Sequence, residues 1–212
     1  MAHFYDCTTT NEPKFEKNVT TPAQARKNNT KTYPSVTTVL GIIKDDFLDS
    51  IYKPRMMVDL ARKHPNLVWQ DIEILVYGTR EHPVTGDTIG SSEFGTAVHK
   101  CIEDKVEALM QGTEAEPNPY DSWAEPFVEW IHESGTKPMC CEHIISSSTI
   151  KTAGSIDFMG YDDEDKLFLA DYKCRTNCKG KAKTYPKDCE QLAIESFMVM
   201  KEYKLDYLPR CI

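Results

Sequence analysis

The chain has 212 residues, 40% of them apolar and 27% charged, with a formal net charge of −8 at pH 7. That is enough chain to bury a core, and no apolar run approaches the roughly 20 residues of a membrane-spanning helix. The negative balance excludes a protein that coats nucleic acid over its whole surface, but not one with a local basic strip. The opening residues, MAHFYDCTTTNEPKF, carry neither a basic-then-apolar signal peptide nor an Arg-rich amphipathic leader. The expectation is a cytoplasmic protein without membrane contact, its eight cysteines reduced rather than bridged.

In chain order, residues 1–32 are polar and poor in aliphatics. They read as a flexible arm, whose mildly basic part, 14–31, could also touch a nucleic acid backbone. YPSVTTVLGII, 33–43, reads as a helix start capped by Ser35 or Thr37. Residues 45–63 have helical periodicity interrupted at Pro54, giving two short helices or one kinked helix. Residues 66–78 fit a helix or a strand, and the Gly and Pro content of 78–90 predicts a loop. SSEFGTAVHKCIEDKVEALMQG, 91–112, is a helix with an apolar stripe of Phe94, Val98, Cys101, Ile102, Val106 and Leu109.

After a break at 116–121, a helix over 121–135 packs through Trp123, Phe127, Trp130 and Ile131. Residues 139–150 read as a strand. Two more strands fill 154–173, joined by the acidic turn DDEDK. A helix over 188–203 turns Leu192, Phe197 and Met200 inward, and YLPRCI starts another strand. Helices, then strands, then a helix make an α/β or α+β fold around a central sheet.

Two of those strands each carry a carboxylate, Asp157 in GSIDFMG and Asp171 in LFLADYK. Burying an unpaired carboxylate among apolar residues is costly. With DDEDK as the hairpin centre, Tyr161 opposes Leu167, Met159 opposes Leu169, and Asp157 opposes Asp171. Directly opposed residues of an antiparallel pair share a face, with Cβ atoms about 5 Å apart. Lys173 falls on the same face. Neighbouring like charges persist in an apolar sheet when a cation sits between them, and oxygen ligands suit Mg²⁺ or Mn²⁺. A lysine beside such an ion can position a water or steady developing phosphoryl charge.

The rival reading makes both aspartates a solvated sheet edge. The apolar neighbours Ile156, Phe158, Leu167, Phe168, Leu169 and Ala170 argue against it. Directly afterwards, residues 173–187 contain Lys173, Arg175, Lys179, Lys181, Lys183 and Lys187 and no acid. This is a phosphate-binding strip or, more plainly, a solvated loop. Tyr185 within it could stack on a base or pack on the protein.

GSIDF followed by ADYK resembles the PD-(D/E)xK nuclease superfamily, with Asp157 as its first acid and Asp171-Tyr172-Lys173 as its D-x-K element. GTAVHKCIED with His99, CCEHIIS with Glu142, QLAIESF with Gln191, and the early YPSVTTVLG are similar to its RecB-like exonuclease branch. That branch includes phage nucleases and mitochondrial genome maintenance exonucleases, and the resemblance spans residues 33–203. It implies a restriction-endonuclease-like core, a central mixed sheet flanked by helices, with a helical N-terminal half. Residues 33–212 would then be a single nuclease domain after the arm.

The resemblance implies that Asp157, Asp171, the Tyr172 carbonyl and His99 bind Mg²⁺ or Mn²⁺. It implies that Lys173 serves the attacking water and that Gln191 orients the site or touches DNA. Glu142 is either a further ligand or a buried partner of a basic residue. Glu103, one turn after His99, could hold the imidazole or simply be solvated. The implied activity is a DNA exonuclease working on single strands or ends in recombination, repair or degradation. A phage-encoded version would act in the bacterial host cytoplasm, beside a recombination or replication protein.

The rivals are a catalytically silent nucleic-acid-binding module and a nuclease subunit active only in a complex. Some relatives hold an iron–sulfur cluster with four cysteines. Here Cys174, Cys178 and Cys189 precede or touch the Gln191 helix, only Cys211 follows it, and no C-x-x-C pair exists. The spacing argues against a cluster.

Overall fold

Tyr5 and Tyr33 draw the start of the chain into a sheet. In the computed structural model, which describes residues 4–7, 14–15, 31–43, 53–68, 71–72, 76, 79–174 and 185–212, β1 (Phe4–Asp6) lies between β2 (Lys14–Phe15) and β3 (Thr32–Pro34). Both pairings are antiparallel, and Tyr5 opposes Phe15 and Tyr33. Tyr5, Cys7 and Tyr33 are buried together with Ala153. This corrects the reading of 1–32 as a flexible arm where that segment is described. Aromatic rings supply enough apolar area to dock a segment that has few aliphatics.

Two compact units divide the chain. One comprises Met1–Lys44, Ile131–Asp171 and Thr184–Ile212; the other comprises Asp45–Trp130 and Tyr172–Lys183. In the first, Ser35 opens α1 (Val36–Ile43). Its Oγ accepts the Thr38 amide at 3.1 Å, so Ser35 is the cap of the two expected candidates.

In the second unit, α2 (Lys53–Lys63) places Pro54 in its first turn, where a missing N–H leaves no helical bond unmade. Residues 45–52 lie outside the described residues, as do most of 69–78. The expected loop at 78–90 is instead a hairpin of β4 (Thr79–Glu81) and β5 (Thr88–Gly90), with Arg80 opposite Ile89. Pro83 and Gly86 are confined to its turn. Gly86 has φ +71°, which favours glycine, and its amide reaches the His82 carbonyl at 3.0 Å.

Helix α3 (Ser91–Gln111) buries Phe94, Val98, Cys101, Ile102 and Val106 as expected, and ends at Gly112 in the left-handed region. Helix α4 (Asp121–Ser134) follows the expected break. Phe94 meets the ring edges of Tyr120 and Trp123, although Trp123 itself stays 44% exposed.

The first unit is built on a mixed sheet in the order β6 (Lys137–Ser147), β7 (Thr152–Tyr161), β8 (Leu167–Ala170), β9 (Arg210–Cys211). The β7–β8 register is the expected one: Tyr161 opposes Leu167, and Met159 opposes Leu169. The turn holds because Asp162 Oδ1 accepts the amides of Glu164 and Lys166 at 3.0 and 2.9 Å. The strand expected in YLPRCI is β9, parallel to β8.

Helix α5 (Pro186–Glu202) and α1 pack their Val36, Leu40, Leu192, Met198 and Val199 against Ile145, Ile156, Met159, Leu167 and Leu169 of the sheet. Phe197 and Met200, expected inward, are only half-buried. The buried stripe runs through Ser196 instead, because its hydroxyl donates to the Pro209 carbonyl at 2.7 Å and brings β9 against the helix.

Candidate metal centre

Strand β8 ends at Ala170, opposite Phe158. One further step of the same register sets Asp157 against Asp171. The Asp171 amide donates to the Ile212 carbonyl at 3.2 Å, and the Ile212 amide to the Leu169 carbonyl at 2.9 Å. The backbone at Asp171 is therefore held by the residue that follows β9.

On the other side of β7, Cys141 pairs with Phe158 and His143 with Ile156. Glu142 occupies the intervening position, across from Asp157. The two carboxylates offer oxygens within 4.8 Å of each other, and both residues are half-buried. At that separation their repulsion is about 3 kcal/mol at an effective dielectric of 20. Glu142 also has φ +47°, uncommon for a non-glycine residue and costing about 1 kcal/mol or more. Ser155 Oγ donates to Glu142 Oε2 at 2.9 Å. Strain and like charge at one point are features of sites held for a ligand. The two carboxylates supply oxygen donors of the kind that hold a cation.

Gln191, on the first turns of α5, places Nε2 3.4 Å from Asp171 Oδ1 and 3.1 Å from Glu195 Oε1. Glu195 is 2% exposed and was missed by sequence reasoning. The available signal was its place in the inward stripe of α5, one turn after Gln191. Tyr5 lies beside this group. Its hydroxyl accepts the Ser155 amide, and burial, with the charges of Glu195 and Glu142, pushes its pKa up to about 12.

In the second unit, His99 Nε2 lies 3.1 Å from the Tyr172 carbonyl oxygen, so two of the expected ligands are brought together. The Tyr172 ring meets His99 and Phe127 edge-on. Glu103 accepts a hydrogen bond from the Lys100 ammonium at 2.7 Å. Lys173 is exposed. Arg175, Lys179, Lys181 and Lys183 lie outside the described residues. Lys187 and Tyr185 are exposed at the start of α5, where the Tyr185 amide donates to Asp188 Oδ2 at 3.0 Å.

Among the described residues, no helix is long and apolar enough to cross a membrane. No protein-family model matches the chain, and no curated protein matches its sequence.

Proposed function

We propose that the chain is a divalent-metal-dependent DNA exonuclease of the PD-(D/E)xK, RecB-like type, built on a restriction-endonuclease-like core and hydrolysing phosphodiester bonds at single strands or DNA ends. The observation that carries this reading is the pairing of Glu142 with Asp157 beside the Asp171 position. Three acids at facing positions of neighbouring strands, followed by a lysine in D-x-K order, are the parts that phosphodiester hydrolysis needs. The resemblance of the sequence motifs supplies the substrate class.

Glu142, Asp157 and Asp171 would hold the ion, with His99 and the Tyr172 carbonyl added from the resemblance. Bound Mg²⁺ or Mn²⁺ supplies phosphate charge neutralisation and a more acidic water. Lys173 is the cation for the attacking water and for negative charge gathering on the phosphoryl oxygens. Gln191 steadies Asp171. The basic segment 173–187 provides phosphate contacts along the strand. A recombination or replication protein is the natural partner for such an activity.

The test is digestion of end-labelled single- and double-stranded DNA with Mg²⁺ or Mn²⁺, beside Asp171→Asn and Lys173→Ala. Metal-dependent shortening that both variants lose supports the enzyme. DNA binding without cleavage of any substrate replaces it with the silent binding module or the partner-dependent subunit.

A further inference from the structure

A carboxylate as buried as Glu195 survives in an apolar stripe only where neighbours donate to it. Gln191 is one such donor, at 3.1 Å, and the same nitrogen lies 3.4 Å from Asp171 Oδ1. A side-chain amide has two N–H donors on its nitrogen, whereas ionised carboxylates only accept. The orientation of the amide follows from this chemistry. Its nitrogen faces both acids and its oxygen faces away. Gln191 and Glu195 are four residues apart on one helix, so the helix itself sets their spacing.

We infer that Glu195 is a positioning residue for the metal centre: it locks the Gln191 amide, which presents a hydrogen to Asp171 and fixes that carboxylate for the ion. The inference rests on the metal-nuclease reading of the same site. On the other flank, Ser155 does the equivalent for Glu142 at 2.9 Å. The Tyr5 hydroxyl, neutral at working pH, lies close enough to feel both Glu195 and Glu142. The ligand carboxylates are thus backed by a polar layer rather than by loose solvent, the arrangement that keeps ligands in one rotamer.

The experiment is calorimetric titration of Mn²⁺ into the metal-free protein for the wild type, Glu195→Gln, Gln191→Ala and the double variant. Glu195→Gln is nearly isosteric, but sets one amide nitrogen against another. Leu192→Ala, a core change on the same helix, controls for lost packing, and thermal melts verify folding of each protein. The expected result is an Mn²⁺ affinity about tenfold or more weaker in Glu195→Gln, with DNA affinity in EDTA unchanged. The double variant should bind no more weakly than Gln191→Ala, since both act through one amide. Leu192→Ala should melt earlier yet keep its Mn²⁺ affinity.

Wild-type-like Mn²⁺ affinity in Glu195→Gln overturns the inference and leaves the nuclease reading standing. So does an equal loss in Leu192→Ala. If Glu195→Gln does not fold, Gln191→Ala decides alone, and wild-type-like affinity there overturns the inference. A wild type that binds no Mn²⁺ removes the metal reading, and the inference with it.

Discussion

Ser155 on β7 donates its hydroxyl hydrogen bond to Glu142 on β6 at 2.9 Å. The bond fixes an acid whose backbone is already in the left-handed region. Ser155→Ala removes it without adding bulk. The expected effect is a stability loss of about 1 kcal/mol and an Mn²⁺ affinity about tenfold weaker. Urea denaturation and calorimetry check the two numbers separately.

Glu142 and Asp157 repel each other when no cation lies between them. Asp157→Asn removes one charge at constant shape. The metal-free variant should therefore melt at a higher temperature than the metal-free wild type. Adding Mn²⁺ should raise the wild-type melting temperature, by about 2.7 kcal/mol of stabilisation at a hundred times the dissociation constant. The variant should gain much less. Thermal melts with and without Mn²⁺ give all four values, and a metal-free variant that melts earlier than the wild type would contradict the repulsion.

The hairpin carrying Asp157 and Asp171 was legible because two local signals agree. Strand alternation has period two, and an Asp at the start of the turn accepts its later amides, so the register had one solution. The α3 stripe was legible for the same reason at period 3.6. The N-terminal sheet was not, because its burial rests on isolated tyrosines rather than on a periodic run. Strands of three residues, as in β4 and β5, are too short to show alternation. Glu195 was hidden because polarity reads as exposure in any hydropathy pattern, whereas a partner such as Gln191 makes its burial tolerable. Glu142 carries no glycine or asparagine signal for its positive φ, so its conformation comes from the surrounding strands.

Gly160 on β7 has no room for a side chain. A Cβ there would stand 2.9 Å from Phe158 Cε1 and 3.1 Å from the Lys137 carbonyl oxygen. Phe158 is fully buried, so its ring cannot swing out to make space. Gly160→Ala should cost about 1–3 kcal/mol by overpacking. Gly41, where nothing lies within 4 Å of a Cβ, is the comparison. Its helical position makes Gly41→Ala neutral or stabilising, by up to about 1 kcal/mol. Denaturant midpoints of the two variants test the contrast.

The thiols give a prediction that depends on pH. Burial, then the hydrogen bond toward Asp121 at 3.5 Å, pushes the Cys101 pKa up to about 11, and burial alone does the same for Cys140. Well below pH 9 these groups are largely protonated in both folded and unfolded chains, so they add little pH dependence there. Between about pH 9 and 11 the unfolded chain releases protons that the folded chain keeps, and their contribution to stability falls as pH rises. Since only the thiolate is nucleophilic, iodoacetamide at pH 8 should label exposed Cys189 first and leave Cys101 and Cys140 unlabelled until denaturant is added. Raising the native protein to pH 10 should still leave both protected. Peptide mapping by mass spectrometry reads the order directly, and labelling of Cys101 at the rate of Cys189 in native buffer would show that α3 does not bury it.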